Sequence, residues 1–427
     1  MIGSGHPATA ASAREEFGAA ALAQQLLNFV LFTTVLASSI AFIEPSPHDG
    51  LMLVLLAMCV AARVKFDRML LPLLILLLAW LIGGFLSLVQ VGDQANAIQY
   101  AGTSVYLAVA GVMFACLFCD ADPARLTTLR RAYLLAALIA TAAGFIGFFH
   151  LLPGAKVFLT NERVSATFKD PNVYGPFLVY PLLLLMIGLV TRRTGIIGLI
   201  IMMMLLGGLF LSFSRGAWMH FAVSAAVAVG LLLAVTRDPR MRYRIVLLGV
   251  GAVAATVLIV VALISIDSVR DMFFERAKAI QPYDVGPGGR FWAQQLALSM
   301  ILEHPNGMGP FEFSRIFGGQ QHDVYMQGFL VYGWLGGAAY LALAAITLAI
   351  GIRAALFPTP WQNYLIAAYA AFVGEAVEGF IVDTDHWRHF FLVVGLVWGL
   401  ATANFNYFRR QRWSAYPPPS GADWQAA

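Results

Sequence analysis

The sequence contains 427 residues, of which 60% are hydrophobic and only 12% are charged. Soluble domains carry about 25% charged residues, so this composition excludes a water-soluble globule. Lysine and arginine number 27 against 23 aspartate and glutamate residues, and the net charge of +4 is too small for a nucleic-acid-binding protein of this length. Hydrophobic blocks recur from about Leu26 to about Phe408, which indicates a polytopic membrane protein.

Twelve apolar stretches predict an all-α bundle of about twelve transmembrane helices, because a helix needs about 20 apolar residues to cross a bilayer. The second stretch is short and either spans the membrane or re-enters it. The stretches are 26–43, 51–62, 69–89, 100–119, 132–152, 173–190, 195–213, 217–235, 244–265, 325–350, 361–381 and 389–408.

Every second connection between these stretches is rich in arginine and lysine, which places those connections and both termini in the cytoplasm. The inner basic residues are Arg14, Arg63, Lys65, Arg68, Arg125, Arg130, Arg131, Arg192, Arg193, Arg237, Arg240, Arg242, Arg244, Arg353, Arg409, Arg410 and Arg412. The predicted organisation is a cytoplasmic segment (1–25), helices 1–9 (26–265), a large outer loop with surface helices (266–324), helices 10–12 (325–408) and a cytoplasmic, disordered tail (409–427).

The outer face carries more basic residues than this rule allows. Arg163, Arg215 and Arg290 each stand beside an apolar span on that face, which predicts a shared anion site. A lipid-linked diphosphate at the membrane surface suits such a site, because a planar guanidinium group binds phosphate oxygens through two parallel hydrogen bonds. For Arg215 alone, the alternative is an arginine whose side chain reaches out of the membrane boundary into water.

Other ionisable residues on this face are candidates for supporting roles. His322 and Asp323 stand together at the outer mouth of a span, where a histidine can act as a general base. Asp383 and Asp385 favour an ion pair with Arg388 or a contact with an acceptor sugar over a metal site. Lys169 belongs to the same group of possible acceptor or supporting contacts.

Glycine marks two further places on the outer face. The segment Gly286-Pro287-Gly288-Gly289-Arg290 has no Lys-Ser or Lys-Thr after its glycines, so it is not a phosphate-binding P-loop, and an apolar helical run follows it to Leu302. Gly333, Gly336 and Gly337 lie inside the tenth span and are expected to be positions of close helix packing.

Several of these features, in this order, resemble the O-antigen ligase and polymerase family of bacterial membrane proteins. They are Arg163 in an Arg-x-Ser-x-Thr-Phe context before Pro171-Asn172, Ser214-Arg215-Gly216, Arg290 with Trp292, His304-Pro305-x-Gly307-x-Gly309, and His322 ahead of Gly333-x-x-Gly336. The resemblance runs from about residue 160 to 340. It implies a multi-pass glycosyltransferase of the bacterial inner membrane with a periplasmic active site and no metal or other cofactor.

The resemblance also implies partners and roles. The donor is an undecaprenyl-diphosphate-linked glycan, the acceptor is lipid A-core or a growing glycan, and the surroundings are membrane lipids, with no nucleic acid. Arg163, Arg215 and Arg290 would hold the diphosphate, and His322 would be the base. The family more often has asparagine at the position of Asp323, so this carboxylate either raises the basicity of His322 or shares its role.

The chemistry and the competing functions follow from these assignments. A single displacement would invert the anomeric centre, because the sequence offers no obvious second nucleophile; Glu312 in the outer loop is the residue that could overturn this. Between ligase and polymerase we favour the ligase, because the loop between Ile266 and Val324 is large enough to receive a bulky acceptor. A twelve-helix transporter of lipid-linked sugars is the alternative from another class, with Glu375 and Glu378 as its candidate mid-span charges.

Overall fold

The computed structural model describes residues 7–43, 45–276, 286 and 289–415. Those residues form α-helices, two short 3₁₀ turns and one small antiparallel hairpin, β1 (Leu159–Thr160) with β2 (Arg163–Val164). The helices up to the hairpin are α1 (Pro7–Ala37), α2 (Pro47–Ala61), α3 (Leu71–Leu88), α4 (Ala95–Phe118) and α5 (Pro123–Phe148). The helices after it are α6 (Pro171–Phe177), α7 (Val179–Val190), α8 (Ile196–Leu211), α9 (Arg215–Val235), α10 (Pro239–Ile264), α11 (Asp267–Arg276), α12 (Arg290–Glu303), α13 (Glu312–Phe317), α14 (Val324–Ala355), α15 (Gln362–Glu378) and α16 (Arg388–Ala415).

Each of the twelve predicted spans overlaps a helix. The sixth span (173–190) overlaps two helices, α6 and α7. Within the described ranges, eight helical segments are long and apolar enough to cross a membrane: Arg68–Leu88, Ala95–Phe118, Pro123–Phe148, Pro171–Val190, Arg215–Val235, Pro239–Ile264, Val324–Ala355 and Arg388–Gln411. The first, second and seventh predicted spans are shorter apolar helices, and the eleventh is the 17-residue α15. A helical membrane protein is confirmed, while the number twelve stays a prediction. Of the predicted tail (409–427), residues 409–415 belong to α16, and those from 416 lie outside the described residues.

Small residues let the central helices approach closely. A Cβ atom added to Gly83 of α3 would lie 2.7 Å from the backbone nitrogen of Gly336 in α14. Cβ atoms added to Gly395 and Gly399 of α16 would each lie 2.7 Å from a backbone carbonyl oxygen of α4. These contacts leave no room for side chains, so the prediction that Gly336 is a close-packing position is confirmed.

The helix α14 breaks at Gly333, whose φ of 66° and ψ of −173° lie outside helical values. The segment 304–309 packs into this break, where the Trp334 backbone nitrogen donates to the Pro305 carbonyl oxygen at 2.8 Å. A Cβ atom on Gly307 would lie 2.6 Å from the Gly333 nitrogen, so both positions require glycine. The two glycine motifs of the sequence therefore form one structural unit, which fixes the end of α12 against α14.

Among its described residues, the predicted outer loop contains the helices α11, α12 and α13. The helix α12 buries one face through Ala293, Ala297 and Ile301, which are spaced four residues apart. Its Leu298 and Leu302 side chains are 55% and 67% exposed. A helix with apolar residues on its outer face suits the surface of a membrane, and the placement of this loop in the periplasm stays a prediction.

Candidate active site

A cavity of about 930 Å³ lies where the N-terminal ends of α6, α9 and α12 meet the segment that precedes α14. Its charged and polar lining consists of Arg163, Asp170, Asn172, Arg215, Arg290, Gln294, Gln320, His322 and Asp383. The structure therefore brings together the three arginines and the histidine that the sequence singled out. The aromatic side chains in the wall are Phe213, Phe291, Phe380 and Trp387.

Arg163 is held by the hairpin and by the loop after α8. The two hairpin turn residues, Asn161 and Glu162, both have positive φ, so the chain reverses sharply just before the arginine. The Arg163 Nε donates to the Ser212 carbonyl oxygen at 3.0 Å, and its Nη2 donates to the Asn172 Oδ1 at 2.9 Å. These bonds fix the plane of the guanidinium group at the cavity wall.

Arg215 is placed by a sharp break between two helices. The helix α8 ends at Leu211, Phe213 takes a positive φ of 46°, and α9 begins at Arg215 itself. The Ser214 hydroxyl caps α9 by accepting from the Ala217 backbone nitrogen at 3.2 Å. The half-buried arginine therefore stands at the first position of a helix, at the edge of the cavity.

Arg290, like Arg215, is the first residue of a helix. That helix is α12, and Gly289 stands at its N-cap. A helix N-terminus carries about half a positive charge from its aligned peptide dipoles. The starts of α9 and α12 therefore add to the positive charge of their arginines at the cavity, where three guanidinium groups outnumber the carboxylates of Asp170 and Asp383.

His322 faces a carboxylate on a different part of the chain from the one expected. Its Nδ1 lies 3.5 Å from Oδ2 of Asp383, and the two side chains are 46% and 17% exposed. Burial raises the pKa of the Asp383 carboxyl above its usual range; the hydrogen bond to His322 partly offsets this rise, and the nearby Asp385 adds to it. The Asp383 Oδ1 is buried and has no hydrogen-bond partner among the described residues.

The Asp323 side chain caps the helix that follows it. Its Oδ1 accepts hydrogen bonds from the backbone nitrogens of Tyr325 and Met326, both at 2.9 Å, and so caps the N-terminus of α14. Burial raises the pKa of the Asp323 carboxyl. The sequence predicted that Asp323 assists His322; in the structure its carboxylate caps α14, and the carboxylate that lies 3.5 Å from His322 Nδ1 is that of Asp383. A catalytic role for Asp323 stays a prediction.

The other residues expected to make supporting contacts, Lys169, Asp385 and Arg388, do not line the large cavity. Arg388 binds both carboxylate oxygens of Asp49 at 2.8 Å, where the sequence favoured an ion pair with Asp383 or Asp385. Asp385 accepts from the Tyr100 hydroxyl at 2.9 Å and lies 3.1 Å from Nδ1 of His386. Lys169 and Arg388 line a smaller pocket of about 160 Å³, which shares Val173 and Trp387 with the large cavity.

Glu312, the residue that could act as a second nucleophile, is engaged elsewhere. Its carboxylate pairs with Arg315, with an Nε to Oε2 distance of 2.8 Å, and Arg315 lowers the pKa of the Glu312 carboxyl. Gln94 Nε2 lies 3.5 Å from the same oxygen. Glu312 does not belong to the cavity lining.

A buried polar pair lies directly beneath the cavity floor. His220 of α9 and Glu378 of α15 have side chains 2% and 0% exposed, and Nδ1 of the histidine lies 2.9 Å from Oε2 of the glutamate. A Cβ atom on Gly216 would lie 2.7 Å from Glu378 Oε1, so the glycine after Arg215 makes room for the carboxylate. One turn deeper, Glu375 lies 3.5 Å from His389.

Within the part of the chain that the structure describes, no three His, Cys, Asp or Glu side chains are grouped closely enough to hold a metal ion. The metal independence of the site stays a prediction.

The pairing of His322 with Asp383 is the feature that the sequence did not reveal, since the two residues belong to different loops. The presence of two acidic residues just before α16 was the available signal.

Residues 200–341 match the family model described as O-antigen ligase. The chain resembles the O-antigen ligase family, as its motifs indicated. The O-antigen ligase match includes Arg215, Arg290 and His322, whereas Arg163 and Asp383 lie outside it. No curated protein matches the chain by sequence.

Proposed function

We propose that the protein transfers a glycan from undecaprenyl diphosphate to an acceptor hydroxyl on the periplasmic side of the bacterial inner membrane. The supporting observation is the single cavity lined by Arg163, Arg215, Arg290 and His322. The O-antigen ligase match over residues 200–341 supports the same class of membrane enzyme.

The arginines would bind the diphosphate of the donor. Two unit charges 4 Å apart attract each other by about 4 kcal/mol at an effective dielectric constant of about 20. Several guanidinium groups and two helix starts therefore stabilise the charge that grows on the diphosphate as it leaves. The enzyme needs cations for this leaving group more than it needs a general acid.

His322 would act on the acceptor. Its ring nitrogen takes the proton from the acceptor hydroxyl as the hydroxyl oxygen attacks the anomeric carbon of the donor sugar. The bond between that carbon and the diphosphate oxygen breaks, and the diphosphate leaves with the electron pair. Asp383 orients the ring and stabilises the imidazolium that forms. This single displacement inverts the anomeric centre, and the engagement of Glu312 with Arg315 supports it.

Individual substitutions of the arginines by alanine test the diphosphate site. Purified protein in nanodiscs would be given an undecaprenyl-diphosphate glycan and lipid A-core, and product would be measured for Arg163→Ala, Arg215→Ala and Arg290→Ala. Each variant should lose most of its transfer activity. Survival of transfer in all three would refute the diphosphate site. Arg315→Ala, which removes an exposed arginine paired with Glu312 outside the cavity, is the matched control.

The orientation in the membrane needs its own test. Reporters fused after Arg130, Arg193 and Arg410 should behave as cytoplasmic, and those at Gly318 and Thr384 should behave as periplasmic. A cytoplasmic result at Gly318 would contradict a periplasmic loop at 266–324 and with it the proposed mechanism.

Ligase and polymerase use the same donor and differ in the acceptor. We favour the ligase, with lipid A-core as acceptor, because the outer loop presents exposed aromatic side chains such as Phe274, Phe291 and Trp292 to an interface where lipid A would lie. A deletion strain should then accumulate long glycans on the lipid carrier and leave the core bare. Core capped by a single repeat unit would make the protein an O-antigen or exopolysaccharide polymerase instead.

The alternative of a lipid-linked-sugar transporter predicts ionisable side chains available to a substrate near the membrane midplane. Glu375 and Glu378 are the candidates, and each lies beside a buried histidine close to the cavity floor. Transport of a labelled lipid-linked sugar across proteoliposomes, without transfer to an acceptor, would favour the transporter.

A further inference from the structure

A second cavity, of about 890 Å³, lies at the opposite end of α14 and α16 from His322 and Arg388. It is a groove between the last turns of α14, the C-terminal half of α16 and the start of α3. Its apolar wall includes Ile346, Ile350, Phe405 and Phe408. Lipid covers any outward apolar groove of a membrane protein, so the shape alone says nothing about selectivity.

Two arginines distinguish this groove from an ordinary lipid-facing surface. Arg353, in the last turn of α14, and Arg409 of α16 both line it, and both are exposed. Arg409 lies over the ring of Phe405, with 5.9 Å between its guanidinium carbon and the ring centroid. Neither arginine has an ion pair with a described residue, and no acidic residue belongs to the groove lining.

The buried Arg125, at the start of α5, provides a contrast. Arg125 has its own carboxylates, with Nη2 at 2.5 Å from Asp120 and Nε at 3.8 Å from Asp122. Arg353 and Arg409 instead direct positive charge towards an apolar groove that has no acid in its described lining. A ligand that satisfies both features carries an anionic group at one end and long apolar chains at the other.

We infer that this groove binds an anionic diacyl phospholipid of the phosphatidylglycerol type. The phosphodiester lies between Arg353 and Arg409, where a guanidinium group can donate two parallel hydrogen bonds to phosphate oxygens. The acyl chains follow the apolar wall towards Ile346. Basic pockets between transmembrane helices recognise lipid headgroups in this way. The site is separate from the glycan-transfer cavity and does not depend on the proposed function.

Native mass spectrometry of the full-length protein tests this inference. Detergent-purified protein is titrated with phosphatidylglycerol or phosphatidylcholine, and bound lipid is counted at each concentration. The protein should retain one phosphatidylglycerol more tightly than phosphatidylcholine. The double variant Arg353→Gln/Arg409→Gln should bind phosphatidylglycerol roughly tenfold or more weakly, because charge-assisted hydrogen bonds to the phosphate are lost.

A matched control separates a site from general attraction between basic residues and anionic lipid. Arg130→Gln/Arg131→Gln removes the same charge from another predicted cytoplasmic connection and should leave phosphatidylglycerol binding unchanged. An equal loss in both double variants would overturn the inference.

Two further variants test the groove itself. Ala401→Phe places a ring in the groove while it keeps both arginines, and should also weaken phosphatidylglycerol binding roughly tenfold or more. Retained binding in this variant would overturn the inference. A truncation after Ala415 should leave binding unchanged; a severalfold increase would instead make the C-terminal segment the occupant of the groove.

Discussion

Among the described residues, one histidine–carboxylate pair lies in the cavity wall and another lies beneath the cavity floor. In the wall pair, His322 and Asp383 are 3.5 Å apart, and the histidine is 46% exposed. In the floor pair, His220 and Glu378 are 2.9 Å apart and almost completely buried. The same two chemical groups therefore meet once in contact with water and once without it.

The second ring nitrogen shows what each pair can do. His220 Nε2 lies 3.0 Å from the Ala371 carbonyl oxygen, so both nitrogens of this ring are engaged inside the protein. The His322 side chain is 46% exposed and lines the cavity, and its Nδ1 faces Asp383. The wall pair is therefore the one that a substrate in the cavity can reach, as the proposed base requires. The floor pair joins α9, which begins at Arg215, to α15, which ends at Glu378.

The largest expected effect comes from His322→Ala, which removes the proposed base from the wall pair. Transfer should fall by about 10²- to 10⁴-fold, the usual contribution of a general base. Donor binding should persist, because the proposed diphosphate site consists of the arginines. The measurement is product formation beside equilibrium binding of the donor. Loss of donor binding with intact folding would place His322 in the donor site instead.

Arg215→Lys tests whether the site needs the planar guanidinium group or only its charge. Lysine keeps the charge but cannot form two parallel hydrogen bonds with a phosphate, so transfer should fall roughly 10- to 100-fold while the protein still inserts into the membrane. Insertion is checked by membrane fractionation, and Arg315→Lys serves as the control. An Arg215→Lys enzyme of full activity would reduce the role of this residue to its charge.

Asp383→Asn tests the wall pair through pH. Burial raises the pKa of the Asp383 carboxyl, so the carboxylate is lost at a higher pH than that of an exposed aspartate. The variant should be roughly tenfold less active where Asp383 is ionised, since a hydrogen bond to a charged group is lost. As the pH falls through the raised pKa, wild-type activity should approach that of the variant. A ratio of activities that is constant with pH would contradict this role.

The sequence predicted the helical fold and five residues of the cavity, Arg163, Arg215, Arg290, His322 and Asp383, because both leave local signals. Apolar stretches of spanning length mark the helices, and arginines beside such stretches are conspicuous because charge there is costly. Arg215 and Arg290 stand at helix starts, which glycine and serine residues indicate directly. The break at Gly333 and its contact with the 304–309 segment could be read only as separate glycine motifs.

The sequence could not predict which carboxylate meets which histidine. Asp323 adjoins His322 in sequence, but the N-terminus of α14 takes its carboxylate. Arg388 was expected near Asp385, but the start of α2 brings Asp49 to it. Such choices depend on how distant helices pack, and local spacing carries no information about that.

Glu378→Gln tests the floor pair, and its expected effect is small. The glutamine amide can donate to His220 Nδ1 while Nε2 still donates to the Ala371 carbonyl, so the geometry beneath Arg215 is preserved. Transfer should stay close to that of the wild type. Glu378→Ala, by contrast, leaves a buried histidine without its partner and should cost about 3–5 kcal/mol of stability. Thermal unfolding and transfer assays distinguish the two. An inactive but stable Glu378→Gln enzyme would show that the floor pair moves protons and would remove the distinction between the pairs.

The smallest effect is expected for Asp323→Asn, the neighbour of His322 that does not belong to its pair. Asparagine caps a helix about as well as aspartate, so the bonds from the Tyr325 and Met326 nitrogens can be kept. Activity and its pH profile should therefore match those of the wild type, in contrast to Asp383→Asn. Asp323→Ala is the informative companion, because loss of the cap should cost about 1 kcal/mol of stability and loosen the segment that carries His322. If Asp323→Asn shifted the pH profile and Asp383→Asn did not, Asp323 and not Asp383 would be the carboxylate that assists His322.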